Sequence, residues 1–492
     1  MEHWRVEELK EKAICADCVG EEYLSNEIDR HGSEKVCDYC GASGKSYTLE
    51  EMAGRIEQAF EEHYTRTPAD PDGFEWAMLK DPEVDYTWER EGEQTTYAIM
   101  NAADIPEGAA SDIQAILAEE HADIEMAQIG EETPFADDAH YGEIMPGDEE
   151  WQEGWRYFER TIKSEARFFS RIAAAQLSAL FDDIDQLRTL GGEALVIDAG
   201  PGTPLNELYR ARTFQSDEQL KSALMRPDKE LGAPPSPLAA AGRMNARGIS
   251  TFYGATEPHI ALAEVRPPVG SQVVIARFEI VRPLRLLDLN LLEQLSESGS
   301  IFDRGYARRL GRMMFLRKLT GRISRPVMPN DQDNEYLATQ AIADYLATEG
   351  KVPLDGIIFP SVQAGNEGVN VVLFQKASRT QKMDIPNGTD LGADTCRSTE
   401  DGPEYDYTVI EQVPPPEPEP EKPPAPSFIF KPAAINWTWS ELSRDYDYRE
   451  ITLKVDPDSL KVHIVEAVSF KTDEHTVRRY RWTKRDAKDE PF

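Results

Sequence analysis

The spacing of apolar residues along the chain changes character near residue 190. In the first part, apolar positions recur every three or four residues, as they do on the buried face of an amphipathic helix. This spacing predicts helices over residues 49–64, 109–121 and 150–187. Gly191 and Gly192 follow the third helix, and glycine is common just beyond a helix end. We therefore predict a helical domain over residues 47–190.

Past residue 190, short apolar runs typical of strands alternate with stretches of helical spacing. A helix is expected to begin at Glu257-Pro258, because proline is favoured in the first turn of a helix. This mixture predicts an α+β domain over residues 191–385. The runs predict strands at 195–197, 250–253, 272–280, 284–289, 356–359 and 369–374, and the helical spacing predicts further helices at 307–319 and 336–348.

The composition changes again after residue 385. Residues 386–426 end in PPPEPEPEKPPAP, and a segment rich in proline and glutamate forms a stiff, extended linker. Beyond this linker, two apolar runs at 451–455 and 462–470 flank the turn sequence Asp456-Pro457-Asp458. This pattern predicts a β-hairpin within a small C-terminal β module over residues 427–492.

The cysteines follow a pattern that indicates metal binding. Cys15 and Cys18 form one CxxC pair, Cys37 and Cys40 form a second, and 18 residues separate the two pairs. Four thiolates at this spacing can bind Zn²⁺ tetrahedrally, and because they leave no open position the ion would be structural. Two redox-active dithiols are the alternative, which the spacing favours less. We predict a zinc ribbon over residues 1–46 and a free thiol at Cys396.

Charge is distributed unevenly along the chain. The formal net charge is −37, and residues 101–160 alone hold 17 Asp and Glu against two Arg, whereas residues 201–380 are nearly neutral. An acidic chain repels nucleic-acid phosphates, so DNA and RNA are not expected partners. The Arg-rich middle can hold a small anion such as a dinucleotide. We interpret the acidic flanks as solvated surface.

No feature of the sequence predicts export or membrane insertion. The N-terminal residues lack the apolar core of a signal peptide, and the chain contains no run of about 18 apolar residues. Cysteines arranged in CxxC pairs fit a reducing compartment better than a secreted disulfide framework. The sequence therefore predicts a cytoplasmic protein without a membrane span.

Three residue types suited to one reaction lie within residues 243–266. Arg243 precedes a predicted strand, Tyr253 lies at its end, and Glu264 lies on the following helix. A guanidinium can bind a pyrophosphate, an aromatic ring can stack on nicotinamide, and a carboxylate can stabilise the oxocarbenium-like charge that develops when nicotinamide leaves. The alternative is a buried aromatic residue among surface charges, and these residues alone leave both interpretations open.

Around these residues the chain resembles the RES-domain family of bacterial NAD-degrading proteins. The resemblance covers residues 208–376 and depends on the order of several motifs, among which Met244 replaces the tryptophan more common in the family. The motifs are LYRAR at 208–212, GRMN at 242–245 followed by Gly248 and Phe252-Tyr253, ALAE at 261–264, EYLATQ at 335–340, DGIIFPS at 355–361 and GVN at 368–370.

The resemblance implies a mixed β core similar to that of ADP-ribosyltransferases. It implies that Arg243 binds the NAD⁺ phosphates, that Tyr253 packs beside the nicotinamide, and that Glu264 stabilises the ribosyl cation. Ser361 would hydrogen-bond the substrate near the nicotinamide, although without the resemblance it would be a turn serine. Arg210, or Arg212 if the strand register differs, would bind substrate. We expect these side chains to converge around one pocket.

The implied activity is cleavage of NAD⁺, as substrate, at the nicotinamide–ribose bond. The acceptor would be water in a glycohydrolase or inorganic phosphate in a phosphorylase. One alternative is an ADP-ribosyltransferase that modifies a macromolecule. Another is a non-enzymatic zinc-ribbon interaction protein with a degenerate RES core, which the presence of Arg243, Tyr253, Glu264 and Ser361 opposes. Because NAD⁺ loss harms a cell, a toxin or defence role is expected.

The region upstream resembles a helical domain, described as HEPN/RES N-terminal, that is found fused before RES domains. The HEPN ribonuclease motif places a histidine four to six residues beyond a helical arginine, whereas seven residues separate Arg55 from His63. Ribonuclease activity is therefore not expected. The resemblance implies that these helices regulate or assemble the protein, through restraint of the active site in cis or formation of a homo-oligomer. An antitoxin is a further possible partner.

Overall fold

The computed structural model describes residues 3–81, 83–123, 131–361, 363, 368–400, 402–415, 447–469 and 472–482. The chain divides into two compact units that interleave along the sequence. The first unit consists of Met1–Ile197, Ala241–Ala246 and Arg285–Phe359. The second consists of Asp198–Ala240, Arg247–Leu284 and Pro360–Phe492. We describe each unit by itself.

Helices and strands alternate in both units. The helices are α1 (His3–Glu11), α2 (Glu22–His31), α3 (Leu49–His63), α4 (Gly73–Lys80), α5 (Thr95–Ala103), α6 (Glu107–Glu120), α7 (Glu149–Ser164), α8 (Arg171–Phe181), α9 (Asp217–Met225), α10 (Pro227–Glu230), α11 (Pro258–Glu264), α12 (Tyr306–Ser324), α13 (Gln332–Glu335) and α14 (Leu337–Thr348). The predicted helices at 49–64, 109–121, 307–319 and 336–348 are thereby confirmed to within a few residues.

The strands are shorter on average than the helices. They are β1 (Ala13–Cys15), β2 (Ser33–Val36), β3 (Ser43–Thr48), β4 (Tyr64–Arg66), β5 (Glu93–Gln94), β6 (His140–Glu143), β7 (Arg188–Thr189), β8 (Val196–Ala199), β9 (Glu207–Phe214), β10 (Phe252–Ala255), β11 (Gln272–Ile280), β12 (Leu284–Asp288), β13 (Leu295–Ser296), β14 (Gly356–Pro360), β15 (Val369–Leu373), β16 (Asp390–Thr399), β17 (Gly402–Gln412) and β18 (Leu453–Ile464). The predicted α+β fold class is therefore confirmed.

The start of the first unit folds around one apolar core. The small sheet β1-β3-β2 packs with α3 and α6, and the buried residues of this core include Ile14, Met52, Ile56 and Ile113. Helix α3 begins where it does because the Thr48 side chain accepts a hydrogen bond from the Glu51 amide while the Glu51 side chain accepts one from the Thr48 amide. The small sheet that carries Cys15 and these helices thus share a single hydrophobic core.

The third predicted helix is in fact two helices, so the single helix over 150–187 is wrong. Helix α7 ends at Ser164, and α8 begins after Ser170, whose hydroxyl accepts a hydrogen bond from the Ala173 amide. The side chains of Phe168 and Phe169 lie in the connection and are 89% and 97% exposed. The apolar spacing continued through this connection, and only the capping serine marks the break.

The second unit contains an antiparallel run of five strands in the order β18-β11-β9-β10-β15. Strand β11 pairs with the whole length of β9, and β10 pairs with β15 from Phe252 opposite Leu373 to Ala255 opposite Asn370. On one face of this sheet the rings of Phe252 and Phe278 meet edge to face at 5.0 Å. Both side chains are fully buried, so this face forms a core.

The predicted C-terminal hairpin is wrong. Residues 453–455 of the first run and 462–464 of the second belong to the single strand β18, which pairs with β11 from Ile280 opposite Leu453 to Gln272 opposite Ile464. Asp456-Pro457-Asp458 lies at a register shift between Ile275 and Arg277, so this turn sequence makes a bulge instead of reversing the chain. The predicted extended linker over residues 386–426 is also wrong in part, because strands β16 and β17 lie within it and form a hairpin. The Pro/Glu-rich residues from 416 onward lie outside the described residues.

Candidate active site and candidate metal centre

The helix that carries Glu264 is short and held at both ends. Glu257 precedes α11, and Pro258 occupies its first turn as predicted. Ile260 and Ala261 face the sheet and pack in one apolar cluster with Ala211, Ala255 and residues of β11. Beyond the helix, Arg266 adopts a left-handed backbone with φ of 44°, a position more often occupied by glycine. Glu264 therefore lies at the carboxyl end of a helix fixed to the sheet.

Glu264, Ser361 and Asn370 form one hydrogen-bonded cluster. The Ser361 hydroxyl donates to Oε1 of Glu264 at 2.7 Å, and the Asn370 side-chain amide donates to the same oxygen, also at 2.7 Å. Ser361 is fully buried and Asn370 is 5% exposed, whereas Glu264 is exposed. Oε2 of Glu264 accepts no hydrogen bond from any residue that the structure describes. The cluster therefore fixes one carboxylate oxygen and leaves the other open to a ligand.

A glycine sets the spacing of this cluster. Gly368 has φ of 77°, and a Cβ at this position would lie 1.8 Å from Cδ1 of Ile260 on α11. Its carbonyl accepts a hydrogen bond from the Ser361 amide at 3.2 Å. Close approach of the backbone to α11 thus holds Ser361 and Asn370 beside Glu264. The predicted site omitted Asn370, although the GVN motif that contains it was the signal that could have identified it.

Arg210 lies on the other face of the sheet from Asn370. Tyr209 pairs with Ala255, and Ala255 pairs with Asn370, so these three residues face one side. Neighbouring residues of a strand face opposite sides, and the Arg210 guanidinium lies 4.9 Å from the centre of the Phe252 ring. Burial, aided by the charge of Arg212, lowers the pKa of Arg210 to about 10. Its Nη1 is buried and has no hydrogen-bond partner among the residues that the structure describes.

Arg212 is already engaged within the second unit. Its Nη1 donates to the carbonyl oxygen of Glu230 at 2.6 Å and to the carboxylate of the same residue at 2.9 Å. Tyr253 lies opposite Val372 in the pairing of β10 with β15, and its side chain is half-buried. Substrate contacts of Arg210, Arg212 and Tyr253 stay predictions.

Arg243 belongs to the first unit, where it binds the end of α12. Its guanidinium donates to the carbonyl oxygens of Ile323 and, at 3.0 Å, Arg325, and it lies 5.1 Å from the centre of the Tyr336 ring. The carbonyl oxygen of Arg243 accepts a hydrogen bond from Thr339 at 2.5 Å. Two sequence motifs, GRMN and EYLATQ, thus meet here. The role of Arg243 toward NAD⁺ phosphates stays a prediction.

The four paired cysteines lie together. Their ligand atoms are all within 4.8 Å of one another, with Sγ of Cys15 3.6 Å from that of Cys40 and Sγ of Cys37 3.8 Å from that of Cys18. Although burial alone would raise it, backbone N–H groups, including that of Cys15, lower the pKa of Cys37. This favours at Cys37 the thiolate that a metal requires, whereas burial raises the pKa of Cys15 and Cys18. The group could hold a metal ion, as the spacing predicted. Cys396 is a free, exposed thiol on β16.

No helix in the described parts of the chain has the length and apolar character needed to cross a bilayer.

Comparison with known proteins adds one family match. No curated protein and no solved structure matches the chain. Residues 207–394, which include Arg243, Glu264, Ser361 and Asn370, match the family model of the RES domain. RES domains are linked to NAD-related activity. The resemblance drawn from the sequence motifs is thereby confirmed, and the chain carries a RES domain over residues 207–394.

Proposed function

We propose that the RES domain cleaves NAD⁺ at the bond between nicotinamide and ribose. The observation that carries this proposal is the Glu264 cluster, in which two donors hold Oε1 at 2.7 Å while Oε2 is open. A carboxylate held in this way does not need to reorganise when positive charge develops on a substrate. The RES match supports the choice of NAD⁺ as that substrate.

The reaction that we propose begins with cleavage of the bond between ribose C1′ and the pyridinium nitrogen. The electron pair of that bond goes to nicotinamide, which leaves as a neutral molecule, and positive charge develops on the ribose. Oε2 of Glu264 accepts a hydrogen bond from a ribose hydroxyl and stabilises that charge. A water oxygen then bonds to C1′ and releases a proton to solvent. In the phosphorylase variant, a phosphate oxygen bonds to C1′ instead.

The direct test is incubation of the purified full chain with NAD⁺, followed by chromatography for nicotinamide. We expect nicotinamide release by the natural protein and its loss in Glu264→Gln, which keeps the shape of the side chain but removes the charge. Glu257→Gln is a matched control, because Glu257 is an exposed glutamate at the start of the same helix. If nicotinamide release falls equally in both variants, or does not fall in Glu264→Gln, Glu264 has no specific role in the reaction.

The acceptor is read from the second product. Without phosphate, free ADP-ribose identifies a glycohydrolase, and a phosphorylated ADP-ribose that forms only with phosphate identifies a phosphorylase. Transfer of label from radioactive NAD⁺ to protein or nucleic acid identifies an ADP-ribosyltransferase. If no nicotinamide is released under any of these conditions, the non-enzymatic alternative replaces the proposal.

A toxin or defence role follows from the proposed chemistry, because loss of NAD⁺ stops metabolism. Induced expression in bacteria should lower cellular NAD⁺ and arrest growth, and Glu264→Gln should do neither. The hypothesis of restraint in cis predicts that removal of residues 1–190 increases this toxicity. Unchanged or lower toxicity of a folded, NAD⁺-binding truncated chain would exclude the restraint.

We also propose that the four-cysteine group binds Zn²⁺. A tetrahedral site with Zn–S bonds of about 2.3 Å places its sulfur atoms about 3.8 Å apart, close to the 3.6 Å and 3.8 Å found here. Cys15, Cys18, Cys37 and Cys40 would hold the ion with no open position, so it would stabilise the fold and take no part in catalysis.

A further inference from the structure

A cavity of about 400 Å³ lies within the first unit, between α7, the end of α12 and the start of α14. Its walls carry four cationic side chains and two carboxylates. The cations are Lys163, Arg243, Arg322 and Arg325, and the carboxylates are Glu159 and Glu335. This leaves a surplus of positive charge in a chain whose net charge is −37. A volume of this size lies within the usual range for small-molecule sites.

Contacts on the cavity wall hold three of the cations in place. Lys163 pairs with Glu335 at 2.9 Å, and Arg243 donates to the carbonyl oxygens at the end of α12. Nη2 of Arg322 donates to Oε1 of Gln152 on α7. Side chains fixed before a ligand arrives lose less conformational entropy when it binds.

Stabilisation of the helix end does not account for all of these charges. Cations near the carboxyl end of a helix offset its dipole, and Arg243 alone already contacts the carbonyl oxygens of Ile323 and Arg325. Arg322 reaches instead to the neighbouring helix α7. The side chain of Arg325 is exposed and forms no hydrogen bond or ion pair with any residue that the structure describes. Two guanidinium groups are thus in excess of what the helix end uses.

We propose that this cavity binds a phosphate group, either free or as the monoester of an aromatic metabolite. Guanidinium groups present paired N–H donors that match phosphate oxygens. The cavity also has an apolar part, to which Trp155, Ile323 and Val327 contribute, and this part suits the organic portion of a nucleoside monophosphate. The proposed binding does not depend on cleavage of NAD⁺, although the cavity wall includes Arg243, which the family resemblance implies binds the NAD⁺ phosphates.

Titration calorimetry of the full chain at fixed ionic strength tests the proposal. The probes are inorganic phosphate, uridine 5′-monophosphate, which is not a fragment of NAD⁺, and uridine. Binding of phosphate as tight as that of the nucleotide identifies free phosphate as the ligand, and tighter binding of the nucleotide identifies an ester. The proposal is overturned if neither phosphate nor the nucleotide binds saturably up to about 10 mM. It is also overturned if uridine binds as tightly as the nucleotide.

Variants locate the binding. Arg322→Gln and Arg325→Gln should each raise the dissociation constant about tenfold or more, the effect of one lost hydrogen bond to a charged group. Arg308→Gln, on the same helix but outside the cavity, is the matched control and should change it less than threefold. If the first two variants lower the melting temperature but bind phosphate normally, these arginines stabilise α12 only, and the proposal fails. Glu264→Gln should bind phosphate normally, so failure of NAD⁺ cleavage would leave this result intact.

Discussion

Replacement of Ser361 by alanine tests whether the hydrogen bond to Glu264 matters for the proposed reaction. The hydroxyl donates to Oε1 at 2.7 Å, and Ser361 is fully buried, so water cannot easily take its place. A hydrogen bond to a charged group contributes about 1.5–3 kcal/mol. If this bond acts in the transition state, its loss lowers kcat about 10- to 150-fold. KM should change little, because Ser361 itself then acts through Glu264.

Rates of nicotinamide release over a range of NAD⁺ concentrations separate kcat from KM. Asn370 still donates to Oε1 in Ser361→Ala, so the loss should be smaller than that of Glu264→Gln. Ser378→Ala is the matched control, since Ser378 is an equally buried serine of the same unit whose hydroxyl contacts Ser250 and Gln375. A fall in kcat below threefold in folded Ser361→Ala, with activity abolished in Glu264→Gln, would refute the reasoning.

Three further predictions concern stability. Metal analysis should find one Zn²⁺ per chain. Cys40→Ser should lose the ion and lower the melting temperature, while the control Cys396→Ser should do neither. Full metal content in Cys40→Ser would contradict the four-cysteine site. Burial lowers the pKa of His63 from 6.5, so below that pH the unfolded chain takes up a proton that the folded chain does not, and the free energy of unfolding should fall toward pH 5. In denaturant titrations at several pH values, His63→Phe should reduce this dependence of the unfolding free energy on pH, whereas replacement of the exposed His259 should not. Phe278→Ala should cost about 3–5 kcal/mol of unfolding free energy, against about 0.5 kcal/mol or less for the exposed Phe168→Ala, and equal costs would argue against the core on that sheet face.

The elements that local patterns predicted correctly are those whose causes are local. Residues 272–280 form β11 as predicted, and α3 begins at a capping box that is visible in the sequence. The hairpin at Asp456-Pro457-Asp458 was wrong for the opposite reason. A bulge and a turn use the same residue types, and the partner that decides between them, β11, is distant in sequence.

The site was predictable as a set of residue types but not as a set of contacts. The motifs identified Glu264 and Ser361, and the structure joins them by a hydrogen bond. Asn370 was missed, because an amide acquires a role only from the carboxylate that packs beside it. For Arg243 the sequence indicated a cation, whereas its carbonyl partners at 323 and 325 depend on where α12 ends.

The pairing of β11 with β18 has a consequence for how the protein is made. Arg277 and Asp456, which form an ion pair across this pairing, are 179 residues apart in sequence. On the ribosome, β11 is synthesised long before β18, and until then its outer backbone groups have no strand to bind. An open strand rich in valine and isoleucine readily joins other chains. Nascent chains interrupted before residue 453 should therefore tend to aggregate or require a chaperone.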